Sequence, residues 1–328
     1  MKRILLLAAL AASLCSCHSR KALLPSVSGK AGEVIVVIDK DNWEGALGDD
    51  VRATLAADCP WLPTHEVLYS LINVAPGSFA DLFKVHRNIV FFDINPQVTE
   101  ATVFTRKDVW ASPQCVIQIS APDAERADGL LLKEGKNIVN AIEQAERDRV
   151  IHNSILYENR ELAPQVREIF GGSPHFPTGY TLKKKSSEFV WIADEKQYTT
   201  QAILIYSYPA RGTEEDLSLE TIISERDKAM KLNVPGMFEG TYMITGSIPA
   251  PYVSYLKYRG RELAETRGWW EVHGDFMGGP FTSHAFYSRD GKEIIVAEAF
   301  VYAPRFDKRQ YLRQVESILY SWEWEEEK

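Results

Sequence analysis

The run Glu33-Val34-Ile35-Val36-Val37-Ile38-Asp39 constrains the fold more than any other segment. Its uninterrupted β-branched residues leave neither face polar. A strand built from them must be covered on both sides, as parallel strands between helical layers are. Asp41 and Glu44 then form a capping-box pattern, and Trp43, Leu47, Val51 and Leu55, spaced by four, predict a helix that stops before Cys59-Pro60. Residues 67–74 read as a strand, Pro76-Gly77-Ser78 leads into a short helix over 79–83, and 88–94 form another apolar strand. Residues 102–106 and 116–120 read as an antiparallel pair. From Asp123 to about 170 the pattern is helical and charged, with a narrow stripe of Ile138, Ala141, Ile142 and Ala145 and a break forced by Pro164.

The second half changes rhythm. Gly171-Gly172-Ser173-Pro174 reads as an exposed domain boundary. Strands are predicted over 180–184, 188–192, 202–208, 265–273, 283–288 and 293–302, with Arg289-Asp290-Gly291-Lys292 as a hairpin turn. An amphipathic helix over 219–232 turns Ile222, Ile223 and Met230 inward. A closing helix from Asp307, capped with Gln310, buries Tyr311, Val315, Leu319 and Trp322. The order gives an α+β fold of two α/β sandwich-like units, an N-terminal domain over 33–170 and a C-terminal domain over 175–324. A formal net charge of −8 favours solubility and argues against a nucleic-acid partner, whose phosphates demand a basic surface.

The chain begins with basic Lys2-Arg3, an apolar run over 4–14 and Leu14-Cys15-Ser16-Cys17. This resembles the signal peptide and lipobox of bacterial lipoproteins, with Cys17 as the acylated first residue of the mature chain. Residues 1–16 are then a signal peptide and 17–32 a lipidated tether. The apolar run is shorter than the about 20 residues that a spanning helix needs. Attachment would rest on fatty-acyl chains such as palmitate, and several together hold where one does not. The expected location is the outer membrane, facing the periplasm. An oxidising envelope permits Cys59 and Cys115 to form a disulfide; the alternative is two buried thiols packed as small hydrophobes.

The sequence has no HExxH, Walker A, GxSxG or CxxC pattern, and no cofactor or metal is expected. Ser254-Tyr255-Leu256-Lys257 matches SxxK, but its companion motifs are missing and chance explains it. Asp39 and Asp93 each end an apolar strand, where ligands bind in open α/β sheets. They could act as paired carboxylates on a shared substrate or cation, or simply cap the loops that follow. Strand alternation puts Trp269, Glu271, His273 and Asp275 on one face and Trp270, Val272 and Phe276 on the core face. An aromatic plate beside carboxylates suits stacking on a sugar or peptide, while a solvated sheet face contains the same residues. His273 and Asp275 with His284 are metal-capable in type but lack a fourth ligand. Glu298 is placed near the same strand, on one face or the other. The tail Glu323-Trp324-Glu325-Glu326-Glu327-Lys328 reads as a frayed, solubilising end.

The lipobox and the segments GEVIVVID (32–39), INVAPGSF (72–79), RNIVFFDI (87–94) and GWWEVHGDFMGGPF (268–281) together resemble the domain-of-unknown-function family 4837 of bacterial envelope lipoproteins. The resemblance implies class and location, and brings no activity or catalytic residue. The element order of the second half is similar to the Mog1/PsbP-like sandwich. The expected function is a lipid-anchored periplasmic binding or structural protein, with an envelope protein or glycan as partner. The alternative is an envelope hydrolase acting on glycan or peptide through Asp39 and Asp93.

Overall fold

The computed structural model describes residues 23–325. In the N-terminal half, β1 (Glu33–Val37) leads to α1 (Lys40–Glu44), α2 (Ala46–Leu55), β2 (Ser70–Val74), α3 (Asp81–Lys84), β3 (Asn88–Ile94), β4 (Thr102–Lys107), β5 (Cys115–Ala121) and α4 (Ala124–Leu156). The strands form a sheet in the order β2-β1-β3-β5-β4, parallel except for the antiparallel edge strand β4. The Glu33–Asp39 run meets its expectation. Val34 and Val36 pack with Val51 and Leu55 of α2 and Ile138 of α4, while Ile35 and Val37 face Phe79, Phe83 and Phe91. The first helix starts two residues earlier than its capping box suggested. Asp39 is the N-cap and accepts from the Asn42 amide at 3.0 Å, and the helix then breaks at Gly45.

The C-terminal half comprises α5 (Leu162–Phe170), β6 (Gly172–Ser173), β7 (Thr181–Lys185), β8 (Phe189–Lys196), β9 (Thr199–Pro209), α6 (Leu219–Asn233), β10 (Tyr242–Thr245), β11 (Tyr252–Tyr258), β12 (Arg261–His273), β13 (Gly278–Tyr287), β14 (Glu293–Tyr302), α7 (Arg309–Tyr320) and β15 (Glu323–Trp324). Its main sheet is antiparallel, ordered β10-β12-β13-β14-β9-β8-β7, with β11 also paired to β12. Residues from α5 and α7 cover one face of this sheet, and residues from α6 cover the other. The fold is therefore α+β, with helices on the faces of a mainly antiparallel sheet.

Gly171-Gly172-Ser173-Pro174 is not an exposed divide. Gly172, Ser173 and Pro174 are buried, because β6 pairs with β15 and the Glu325 amide reaches the Gly171 carbonyl at 2.9 Å. Leu162, Val166 and Phe170 of α5 belong to the C-terminal core, so the change of unit falls between α4 and α5. Pro164 sits in the first turn of α5, where a missing amide costs nothing. The tail is corrected as well: Trp324 packs edge-on against Phe286 and Trp322. Residues 326–328 lie outside the described part.

The halves are joined by polar contacts. Glu66, from the loop before β2, accepts from the Lys308 and Arg309 amides at 3.0 and 2.8 Å and so caps the start of α7. Arg313 of α7 makes a two-pronged pair with Glu143 of α4 at 2.6 and 3.0 Å. Trp61 stacks on Tyr252 with ring centroids 3.9 Å apart.

Candidate functional site

The residues singled out from sequence scatter. Asp39 follows β1 and Asp93 lies near the end of the neighbouring parallel strand β3, but each has a local duty: Asp39 caps α1, and Asp93 accepts from Ser120 Oγ at 3.4 Å. Ser254 and Lys257 lie three apart on β11 and so point to opposite faces. Trp269 and Glu271 are half-buried on β12, whereas His273 is exposed and its ring packs against Tyr242 at 5.0 Å. β12 ends at His273, and the backbone turns before β13. Asp275 then binds its neighbour's amide, and Phe276, placed on the core face from sequence, is fully exposed. His284 is not near His273. It pairs across the ladder with Glu265, fully buried, its Nε2 3.6 Å from the Glu265 carboxylate. Among the described residues no group of three or more His, Cys, Asp or Glu is placed to hold a metal. Glu298 takes the opposite face, bound to Arg226 of α6.

A cleft of about 920 Å³ opens elsewhere, between the β11–β12 turn, the end of β13 and β15. Its aromatic floor comes from Tyr320, Trp322 and Trp324, with Tyr258 and Tyr287 at the sides, and Arg259, Arg261 and Arg289 bring guanidinium groups to it. The turn has two residues, Arg259 and Gly260, both with positive φ (48° and 84°), as a tight hairpin matched to the strand twist requires. Glycine adopts this conformation freely; arginine does so at a cost of roughly 1–2 kcal/mol. Gly172 has the complementary role below the floor, since a Cβ would come within 2.7 Å of Trp322 Nε1.

Arg261 is the decisive group. Its guanidinium lies 4.6 Å from the Phe286 ring centroid and donates to the Trp322 carbonyl at 3.3 Å. Among the described residues no carboxylate comes within ion-pair distance of it, and its Nε and the nearby Trp322 Nε1 are buried donors without an acceptor. Burial lowers the Arg261 pKa to about 10, against partial compensation from Tyr258 and Tyr320. The cleft carboxylates look elsewhere: Glu262 meets Lys257 at 3.4 Å and Glu323 meets His175 at 3.1 Å. A desolvated cation lacking its counter-charge is a costly arrangement that an anionic ligand relieves.

A second cavity, about 320 Å³, lies between α4, α7 and β12. Its charges answer one another: Arg267 binds Glu316 at 2.6 and 3.1 Å and Glu265 at 2.9 Å, and Arg147 lies 3.8 Å over the Tyr320 ring. Burial pushes the Glu265 carboxyl up, but Arg267, His284 and the Tyr320 hydroxyl outweigh it and hold it well below its ordinary value. This network cements the two halves. Cys59 lines this cavity, whereas Cys115 lines another, of about 310 Å³. The two cavities use different faces of α4, Val139 and Glu143 against Ala141 and Ala145, and both cysteines are free thiols.

Sequence reading missed the cleft because its parts look like a turn and a tail. The signal present was an arginine in a turn that favours Asn or Gly, with aromatic residues spaced by two at 320, 322 and 324.

Fold and cleft define an α+β protein with an open, ligand-sized groove lined by arginine and aromatic side chains. Residues 159–321 match a domain of unknown function, DUF4837, and this part of the chain belongs to that family. Residues 27–154 match a second domain of unknown function, DUF8532, so the resemblance read over the whole mature chain divides between two families. No curated protein matches the chain. Among solved structures, the Ran-binding protein Mog1p of Saccharomyces cerevisiae is similar at 8% identity and TM-score 0.31, over 47% of this chain and 89% of its own. A protein from Bacteroides thetaiotaomicron gives 11% and 0.28, over 48% and 46%. The human StarD13 lipid transfer and protein localization domain gives 10% and 0.24, over 44% and 88%. None of these likenesses assigns a ligand or a role to this chain.

Proposed function

We propose that this protein is a binding module of the bacterial envelope, anchored by lipid at Cys17 to the outer membrane and facing the periplasm. Its ligand is an anionic envelope component with flat faces, such as an acidic glycan, held in the cleft around Arg261. Cys17 lies outside the described residues, and the anchor rests on the lipobox pattern alone. The observation that carries the binding role is Arg261, a half-buried guanidinium on an aromatic floor with no carboxylate partner among the described residues. Rings would stack on the faces of the ligand and guanidinium groups would hold its carboxylates or phosphates. The local duties of Asp39 and Asp93 give the hydrolase reading no support.

Capture from detergent-solubilised envelopes tests this reading, with partners and glycans identified by mass spectrometry. Wild-type protein should retain a component that Arg261→Met does not. Equal recovery by both would remove the cleft from the function.

A further inference from the structure

A separate cavity lies on the α6 side of the main sheet, beneath the 235–241 loop. Its volume is about 230 Å³, and the Trp191, Trp270, Phe300 and Tyr302 rings wall it. Met237, Met243 and Met277 also line it, with Glu195, Thr200 and the apolar Val234 and Val272, and among the described residues no Lys, Arg or His contributes. We propose that this cavity binds a neutral aliphatic chain, of medium length, that carries one hydrogen-bond acceptor.

Three observations specify the ligand. The first is the polar balance of the wall. Trp270 Nε1 donates to the Val301 carbonyl at 3.2 Å, but Trp191 Nε1, equally removed from solvent, has no acceptor. A buried donor left unmade costs about 1–3 kcal/mol, and an acceptor on a ligand would meet it. The second is charge. The one carboxylate of the lining, Glu195, is held by Lys183 at 2.6 Å, so no cation waits for an anionic head group. An ester, amide or alcohol fits where a free carboxylate would be stranded. The third is shape. Methionine side chains adapt to irregular, flexible guests, and at roughly 30 Å³ for each water-sized group the cavity takes about seven or eight.

The mouth suits entry from an apolar phase. Met237 lines the cavity and is 78% exposed, and Phe238 beside it is 63% exposed. Phe276, next to Met277, projects fully into solvent. The site is independent of the Arg261 cleft, which calls for the opposite ligand chemistry.

Methionine methyl NMR tests the proposal, because Met237, Met243 and Met277 line the site while Met230, fully buried on the same core, does not. The purified protein, labelled with ¹³C-methyl methionine, is titrated with octanamide and separately with octanoate. Octanamide should move the three lining signals along one saturating curve and leave Met230 in place; octanoate should bind at least tenfold more weakly. Trp191→Phe should keep the Met230 signal and bind octanamide about fivefold more weakly, the equivalent of about 1 kcal/mol for one hydrogen bond. Met277→Trp, which fills the cavity, should abolish the response. Absence of saturable shifts up to the solubility limit would overturn the proposal. So would equal binding of octanoate, undiminished binding by Trp191→Phe, or a response that survives in Met277→Trp.

Discussion

Replacing Arg226 by Met should destabilise the C-terminal half more at neutral than at acid pH. Arg226 and Glu298 have no solvent exposure, and the guanidinium grips the carboxylate with two hydrogen bonds, at 2.9 and 2.8 Å. Arg226 also lies 4.1 Å over the Phe281 ring and donates to Thr245 Oγ1 at 2.9 Å. Burial pushes the Glu298 carboxyl up, and Arg226 is the main influence opposing that rise. Breaking such a pair from one side costs about 3–5 kcal/mol, because a buried charge is left alone. Without Arg226, Glu298 takes up a proton in the folded state well above its unfolded value. The folded form then binds more protons than the unfolded form between those two values, so the variant loses stability as pH rises through that window. Each pH unit across the window is worth about 1.4 kcal/mol. Urea unfolding followed by tryptophan fluorescence should show the full loss at pH 7.5 and one smaller by about 1–3 kcal/mol at pH 5. The pair Arg226→Met with Glu298→Leu should return to within about 1 kcal/mol of wild type, since removing both charges removes the penalty. A loss below 1 kcal/mol for Arg226→Met, or the same loss at both pH values, would refute the reasoning.

Cys17→Ser should abolish incorporation of a fatty-acid analogue in metabolic labelling; label persisting on the variant would sink the anchor. Cys59 and Cys115 should both be recovered as free thiols by mass mapping without reductant. Burial raises each thiol to about 11, so both should also resist iodoacetamide at pH 8 until urea is added. A linked peptide, or rapid native alkylation, would contradict their separate placement.

Elements whose residues answer only to their own periodicity were legible in the sequence. The Glu33–Asp39 run could be buried on both faces only as a central strand, and the Arg289–Lys292 turn joins β13 and β14 as its residues indicate. What sequence hid depends on distant partners. Asp307 and Gln310 resemble a helix start, but Glu66 supplies the cap from the other half. Alternation carried Phe276 onto the core face because nothing local shows that the ladder stops at His273. Gly171 to Pro174 have the composition of a linker and are buried because β15 returns to pair with β6. Trp324 sits among glutamates and reads as tail, yet Phe286, 38 residues earlier, gives it a packing partner. Arg261 falls just after a turn, where exposure is the default. Only the folded aromatic floor desolvates it.

Whether that desolvated arginine holds an anionic ligand is measured most directly by calorimetric titration with an oligogalacturonate, which presents a carboxylate on each flat ring. Wild-type protein should bind saturably, with affinity falling as salt is raised, and Arg261→Met should bind at least tenfold more weakly while unfolding at the same urea concentration. Binding unchanged in Arg261→Met, or no binding by the wild type at low salt, would contradict the assignment of the cleft.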